Sequence, residues 1–321
     1  MKPIQIHPVT ALAGAAALGA LLGLTSLVQV ASKKTAGQGE RRNISALTPE
    51  QRAILDHMSI VDLDDGLGGT VKTLRISDIN VQIVNGLDAT NGYPTDPNSI
   101  DPLLTSTNGL GNLIVGYNEP GNLFGDDRTG SHNIVFGLAN SFSSFGGLVG
   151  PHNSTISGAF ASVSGGFGNT ASGLLSSVSG GDNNTASGYW SSVTGGDRNT
   201  ASGRMSSVSG GQGNTASGDD SSVSGGIYNT ASGDYSSVSG GYSNTASGFI
   251  SFVSGGGINT ASGDNSSVSG GIVNSASGDY SSISGGYVNV ASGAYSSVSG
   301  GFYRSVSGTN DWRAGSLFED F

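Results

Sequence analysis

The chain has 321 residues, a formal net charge of −10, 11% charged residues, 55 glycines and no cysteine. An acidic balance with only 13 Lys and Arg leaves no electrostatic footprint for nucleic acid. Without cysteine there are no disulfides, no thiolate metal sites and no thiol for lipid attachment.

In chain order, Val9–Ala31 is free of charge and follows Lys2 and His7. A run of this length reads as the apolar core of a signal peptide or as a membrane helix. Val30-Ala31-Ser32 offers small residues for cleavage after Ser32, so residues 1–32 are assigned to this segment. Lys33, Lys34, Arg41 and Arg42 lie just beyond it, a charge pattern that opposes translocation if the segment is retained. Export is the expectation, to the cell surface or the extracellular space, with the segment either removed or kept as a tether. Residues 33–47 read as a polar linker.

Residues 48–85 form a small predicted α+β cap. Thr48-Pro49-Glu50-Gln51 starts a helix, with Thr at the N-cap, Pro at N1 and Gln at N3. The helix is predicted to run to about Met58. Ile60–Leu63, Val71–Ile76 and Ile79–Val84 alternate as strands, with Asp64–Gly69 as the first turn. A terminal cover is what a stacked repeat needs, because an open coil edge invites edge-to-edge pairing. Residues 86–132 are loop-rich. Leu113-Ile114-Val115 and Asn133-Ile134-Val135 resemble degenerate first coils, separated by the insertion Glu119–Thr129.

From residue 133 to 308 one pattern dominates. An apolar column recurs at Leu148, Val163, Val178 and every fifteen residues to Val298; a second runs from Ile156 and Ala171 to Val306. A fixed period of fifteen fits one turn of a β-solenoid, with two short strands and two tight turns per coil. The fold class is therefore all-β. Strand side chains alternate between faces, so if Val163 points inward Ser162 and Ser164 point out, and if Ala171 points inward Thr170 and Ser172 point out. Asn169 and its equivalents to Asn289 face inward at a corner, where stacked amides can form a ladder. Eleven coils at strand-pairing distance make a rod of roughly 50 Å. Residues 309–321, with Trp312, Leu317, Phe318 and Phe321, are expected to close the far end.

One Val and one Ala per coil is a thin core, so further burial is expected. Three residues before each Val stand Leu175, Trp190, Met205, Tyr235, Ile250, Tyr280 and Tyr295, with Asp220 and Asn265 interrupting. Large apolar side chains on an outward column mark a candidate stripe for self-association or partner binding.

The SSVSGGxxNTASG coil resembles the head repeats of trimeric autotransporter adhesins of the YadA type. The resemblance covers residues from about Asn133 to Gly308. It implies a left-handed parallel β-roll, a homotrimer, and a cell-surface role in binding host or matrix material, whether glycan or protein. That family's coils have about fourteen residues with an inward Ile, whereas here the period is fifteen and Val takes its place. The family ends in a stalk and a C-terminal β-barrel anchor, and this chain runs only to Phe321 after its last coil. Export by that family's own route is not expected.

No catalytic, cofactor or metal constellation emerges from the residues, and no enzyme activity is expected. His7, His57, His132 and His152 lie in no zinc spacing, and no GxSxG elbow occurs. Gly166-Phe167-Gly168-Asn169-Thr170-Ala171 matches GxGxxA only because the repeat does, with no βαβ unit around it. Asp219, Asp234, Asp264 and Asp279 share a column and read as turn residues rather than a calcium ladder. The alternative function is ice binding through the outward Thr170–Thr260 and Ser rungs. A polysaccharide-acting fibre or lyase ranks below it, since no clustered carboxylates are visible.

Overall fold

The computed structural model describes residues 47–315 and 317–319. The apolar segment of residues 1–32, residues 33–46 of the linker, and Phe321 lie outside the described residues. Among the described residues no helix is long and apolar enough to cross a membrane. The chain divides into two compact units that part after Asn80.

The first unit holds helix α1 (Pro49–Asp56) and a hairpin of β1 (Met58–Asp64) and β2 (Thr70–Ile76). The capping box forms as its residues dictate: the Thr48 hydroxyl accepts from the Gln51 N–H at 3.2 Å, and the Thr48 N–H donates to Gln51 Oε1 at 3.0 Å. The helix stops at Asp56 rather than Met58, because Met58 opens β1 and pairs with Ile76. Asp65 makes the turn, its Oδ1 accepting from the N–H groups of Leu67 and Gly69. The expected third strand, Ile79–Val84, does not form. It has an apolar pattern but no partner strand, and a strand exists only by pairing.

The second unit is a parallel β-solenoid. Short strands follow in order: β3 (Leu113–Val115), β4 (Ile134–Phe136), β5 (Ser141–Phe142), β6 (Leu148–Val149) and β7 (Thr155–Ile156). From β8 (Ser162–Val163) and β9 (Thr170–Ala171) the pair repeats up to β26 (Ser297–Val298) and β27 (Ser305–Val306). The Ser-Val strands stack into a 15-stranded sheet that begins at β3, and the Thr-Ala strands into a 12-stranded sheet. Residues fifteen apart pair in register, as Val178 with Val163 and Ala186 with Ala171. At the C-terminal end β28 (Trp312–Ala314) adds one parallel strand beside β26, and β29 (Leu317–Glu319) folds back antiparallel on it. The Trp312 indole N–H donates to Ser299 Oγ at 2.9 Å.

The inward Val and Ala columns are fully buried, and Asn169 through Asn289 are buried with them. One register differs from the sequence expectation. Leu148 pairs with Ser162 and is half-buried, while Val149 pairs with Val163 and is the inward residue; likewise Val135, not Ile134, faces in. Adjacent strand residues point opposite ways, so choosing between two neighbouring apolar residues reverses the face. The early coils are therefore fourteen residues long, Val135 to Val149 to Val163. Val149 to Ile156 spans seven residues but Val163 to Ala171 spans eight, so the fifteenth residue of the later coils lies in the Gly-Gly turn.

The thin core has two supplements. One is a column of buried serines, Ser176 and its equivalents to Ser296, on the inward position before each Ser-Val strand. Ser191, Ser206 and Ser296 donate to the glycine carbonyl three residues earlier, whereas the hydroxyls of Ser176, Ser221, Ser236, Ser251, Ser266 and Ser281 meet no acceptor and fill space only. The other is the asparagine ladder. Asn184 Nδ2 donates to the carbonyls of Gly180 (3.0 Å) and Gly196 (2.9 Å), and its Oδ1 accepts from the Asn199 N–H (2.9 Å). Each asparagine thus ties its own turn to the next coil, which satisfies buried backbone groups at the corner. The ladder ends at Arg304, whose N–H donates to Asn289 Oδ1 at 2.9 Å. Gly181 is required beside it: at φ +87°, a Cβ there would strike the Gly196 carbonyl and the Asn184 amide.

Candidate functional surface

Each coil shows the outside two strand faces and two two-residue turns. The strand faces carry the Ser and Thr rungs, with Thr170, Thr185 and their equivalents to Thr260 half-buried and stacked in register. The turns carry most of what varies; on the strands Phe252 stands in the Ser rung and Val290 in the Thr rung.

The turn between the Ala strand and the next Val strand holds the predicted stripe. Leu175, Trp190, Met205, Tyr235, Ile250, Tyr280 and Tyr295 are all 40–58% exposed and stack in one column. The alternation argument placed them outside, and they are outside. They lie at the second turn residue rather than on a strand, and every one has φ between 54° and 60°. This left-handed conformation costs a side-chain-bearing residue about 1–2 kcal/mol, and Gly, Asn or Asp would relieve it. A geometric reason holds the chain there: the turn N–H reaches back to the preceding coil, as Trp190 N–H to the Leu174 carbonyl and Tyr235 N–H to that of Asp219. The Asp column beside it does turn chemistry, with Asp219 Oδ1 accepting from the Arg204 N–H and Asp279 Oδ1 from that of Asp264.

Rings of the stripe also cover one another. Tyr280 and Tyr295 stack at 4.8 Å, Tyr235 meets Phe249 edge-to-face at 5.7 Å, and the Arg204 guanidinium lies over Trp190 at 5.5 Å.

Sequence reasoning missed a second stripe at the other turn, between Gly-Gly and Asn. Its first positions stack as Ile227, Tyr242, Gly257, Ile272, Tyr287 and Phe302. Its second positions, including Tyr228, Ile258, Val273, Val288 and Tyr303, again have φ of 53–58°. The same turn carries Asp182, Asp197, Arg198 and Gln212 in the middle coils, which separate this apolar run from the earlier Leu138 and Phe167 of the same column. The signal was present in the sequence: the two residues before each Asn vary as much as the two before each Ser-Ser.

Two shallow clefts of about 310 and 270 Å³ flank the early coils. The first is closed by His132, whose Nδ1 bonds the Thr90 carbonyl and whose Nε2 accepts from the Asn85 N–H at 3.2 Å. With both nitrogens engaged to backbone, His132 fixes a loop. His152 packs edge-to-face on Phe167 at 4.9 Å. Among the described residues no group of three or more His, Asp or Glu converges on a metal-sized space.

No family model matches the chain, and no curated protein matches it.

Proposed function

We propose that this chain is a non-catalytic structural and adhesive repeat protein of the cell surface or extracellular space. In this reading it is a rod that associates with copies of itself, as a homotrimer, and meets host or matrix material through its turns. The observation that carries the reading is the exposed column from Leu175 to Tyr295, held in left-handed backbone. The turn itself sets the left-handed backbone, and the bulky, exposed side chains placed on it are what a partner surface would cover. The uncharged run Val9–Ala31 and the resemblance of the coils to YadA-type heads support the surface location.

Sedimentation equilibrium of the full chain in mild detergent, with detergent mass matched out, tests the self-association. An assembly of three copies is expected, weakened by the triple substitution Tyr235→Ser, Tyr280→Ser, Tyr295→Ser. A monomer at micromolar concentration removes the oligomer from the proposal.

A second reading is ice binding, favoured by the in-register rank of hydroxyls from Thr170 to Thr260. Its test is thermal hysteresis with ice-crystal shaping, and a solution that shows neither disposes of it.

A further inference from the structure

Among its described residues the helix–hairpin unit has no core. No residue of α1 is buried, and across β1 and β2 only Met58, Val61 and Thr73 reach even half-burial. The register pairs Ile60 with Leu74 and Met58 with Ile76 on one face, yet Ile60, Leu74 and Ile76 remain 59%, 53% and 42% exposed. Leu63 and Val71, paired on the opposite face, are exposed as well. A lone two-stranded hairpin is marginal in water, and three or more strands are needed for independent stability. Ile60, Leu74 and Ile76 thus leave one face of the hairpin open to a partner.

The edges say which partner. Among the described residues the hairpin is a two-stranded sheet with the outer edge of each strand unpaired, and neither strand contains proline. β1 carries Asp62 and Asp64 and no cation; β2 carries Lys72 and Arg75 and no anion, and all four are exposed. Pairing β1 with another β1, or β2 with another β2, brings like charges together. Pairing β1 with the β2 of another copy brings unlike charges together. Within one hairpin the same complementarity already shows, as Lys72 Nζ lies 3.0 Å from Asp62 Oδ1.

We infer that this unit is a self-assembly module in which the β1 edge of one copy pairs with the β2 edge of the next. Such a head-to-tail contact is heterologous, and it makes a ring where the rotation between copies closes, as the three-copy assembly proposed above requires. The inference rests on the self-association proposed above and adds to the solenoid stripe a second contact, made by the hairpin.

The test uses the full chain at low ionic strength. Ile60→Asp with Leu74→Asp is expected to raise the dissociation constant at least tenfold by light scattering. Because that variant disturbs the hairpin itself, a charge exchange supplies the second arm. The fourfold variant Asp62→Lys, Asp64→Lys, Lys72→Asp, Arg75→Asp keeps complementarity within each copy and between identical copies. It is expected to assemble with itself and to be excluded from complexes with differently tagged wild type, at least tenfold below statistical mixing after joint refolding. Statistical mixing overturns the inference, as does full assembly of the Ile60, Leu74 variant. A monomeric wild type instead defeats the self-association reading itself.

Discussion

Replacing Asn229 with alanine probes the asparagine ladder at mid-rod. Asn229 is fully buried, and its Nδ2 donates to the carbonyls of Gly225 (2.9 Å) and Gly241 (3.0 Å). Its Oδ1 accepts from the Asn244 N–H at 2.9 Å. Alanine removes all three bonds. The Gly241 carbonyl keeps a second donor, the Ile227 N–H at 2.9 Å, so its loss is the smallest, about 1 kcal/mol. The Gly225 carbonyl and the Asn244 N–H keep none, and a buried orphan of this kind costs about 1–3 kcal/mol. The sum is roughly 3–7 kcal/mol, concentrated at one coil interface because each coil contacts only its neighbours. Urea unfolding read by circular dichroism should show the loss, and hydrogen exchange should show the Asn244 amide exposed. A change below about 0.5 kcal/mol with that amide still protected would refute the ladder as a stabilising element. Asn229→Asp keeps the acceptor but turns a carboxylate oxygen toward two carbonyls, so near neutral pH it should destabilise at least as much as alanine.

Ile258 holds a β-branched side chain at φ 57° while 51% exposed, so Ile258→Asn should stabilise the rod by about 0.5–1 kcal/mol in denaturant titration. A loss of stability would mean that the left-handed turn is not strained. Gly226→Ala acts the other way: at φ +85°, the new Cβ meets the Gly241 carbonyl and the Asn229 amide. It should cost at least about 3 kcal/mol, and an unchanged melting temperature would contradict this packing. The Asp126 carboxylate accepts from the N–H groups of Asn122 and Gly121, which hold its pKa below the ordinary 3.8, with Arg128 adding a smaller pull. A depressed carboxylate stabilises above the unfolded value and loses that contribution as pH falls through the folded one. Protection of the Gly121 and Asn122 amides should therefore persist through pH 3.8 and fade only below it; fading above it would reverse the sign.

The repeat was readable because its information is local. Val163, Ala171 and Asn169 face inward for the same reason that Ser164 and Ser172 face out: strand side chains alternate, and a period of fifteen copies that alternation down the rod. The capping box at Thr48–Gln51 is equally local and formed as read. Leu148 against Val149 was harder, since both are apolar and only the pairing partner decides which is buried. The Ser176 column escaped notice because serine reads as polar, although alternation from Val178 already places it inside.

Residue type and spacing alone determined that this chain is a solenoid of Val, Ala and Asn coils. Tertiary structure decided three further things: the left-handed backbone under Trp190 and Tyr235, the absence of a strand at Ile79–Val84, and the coreless hairpin of Ile60 and Leu74. Each depends on what lies across from a residue rather than beside it. Bulky side chains do not announce a positive φ, and an apolar stretch does not reveal whether a partner will meet it.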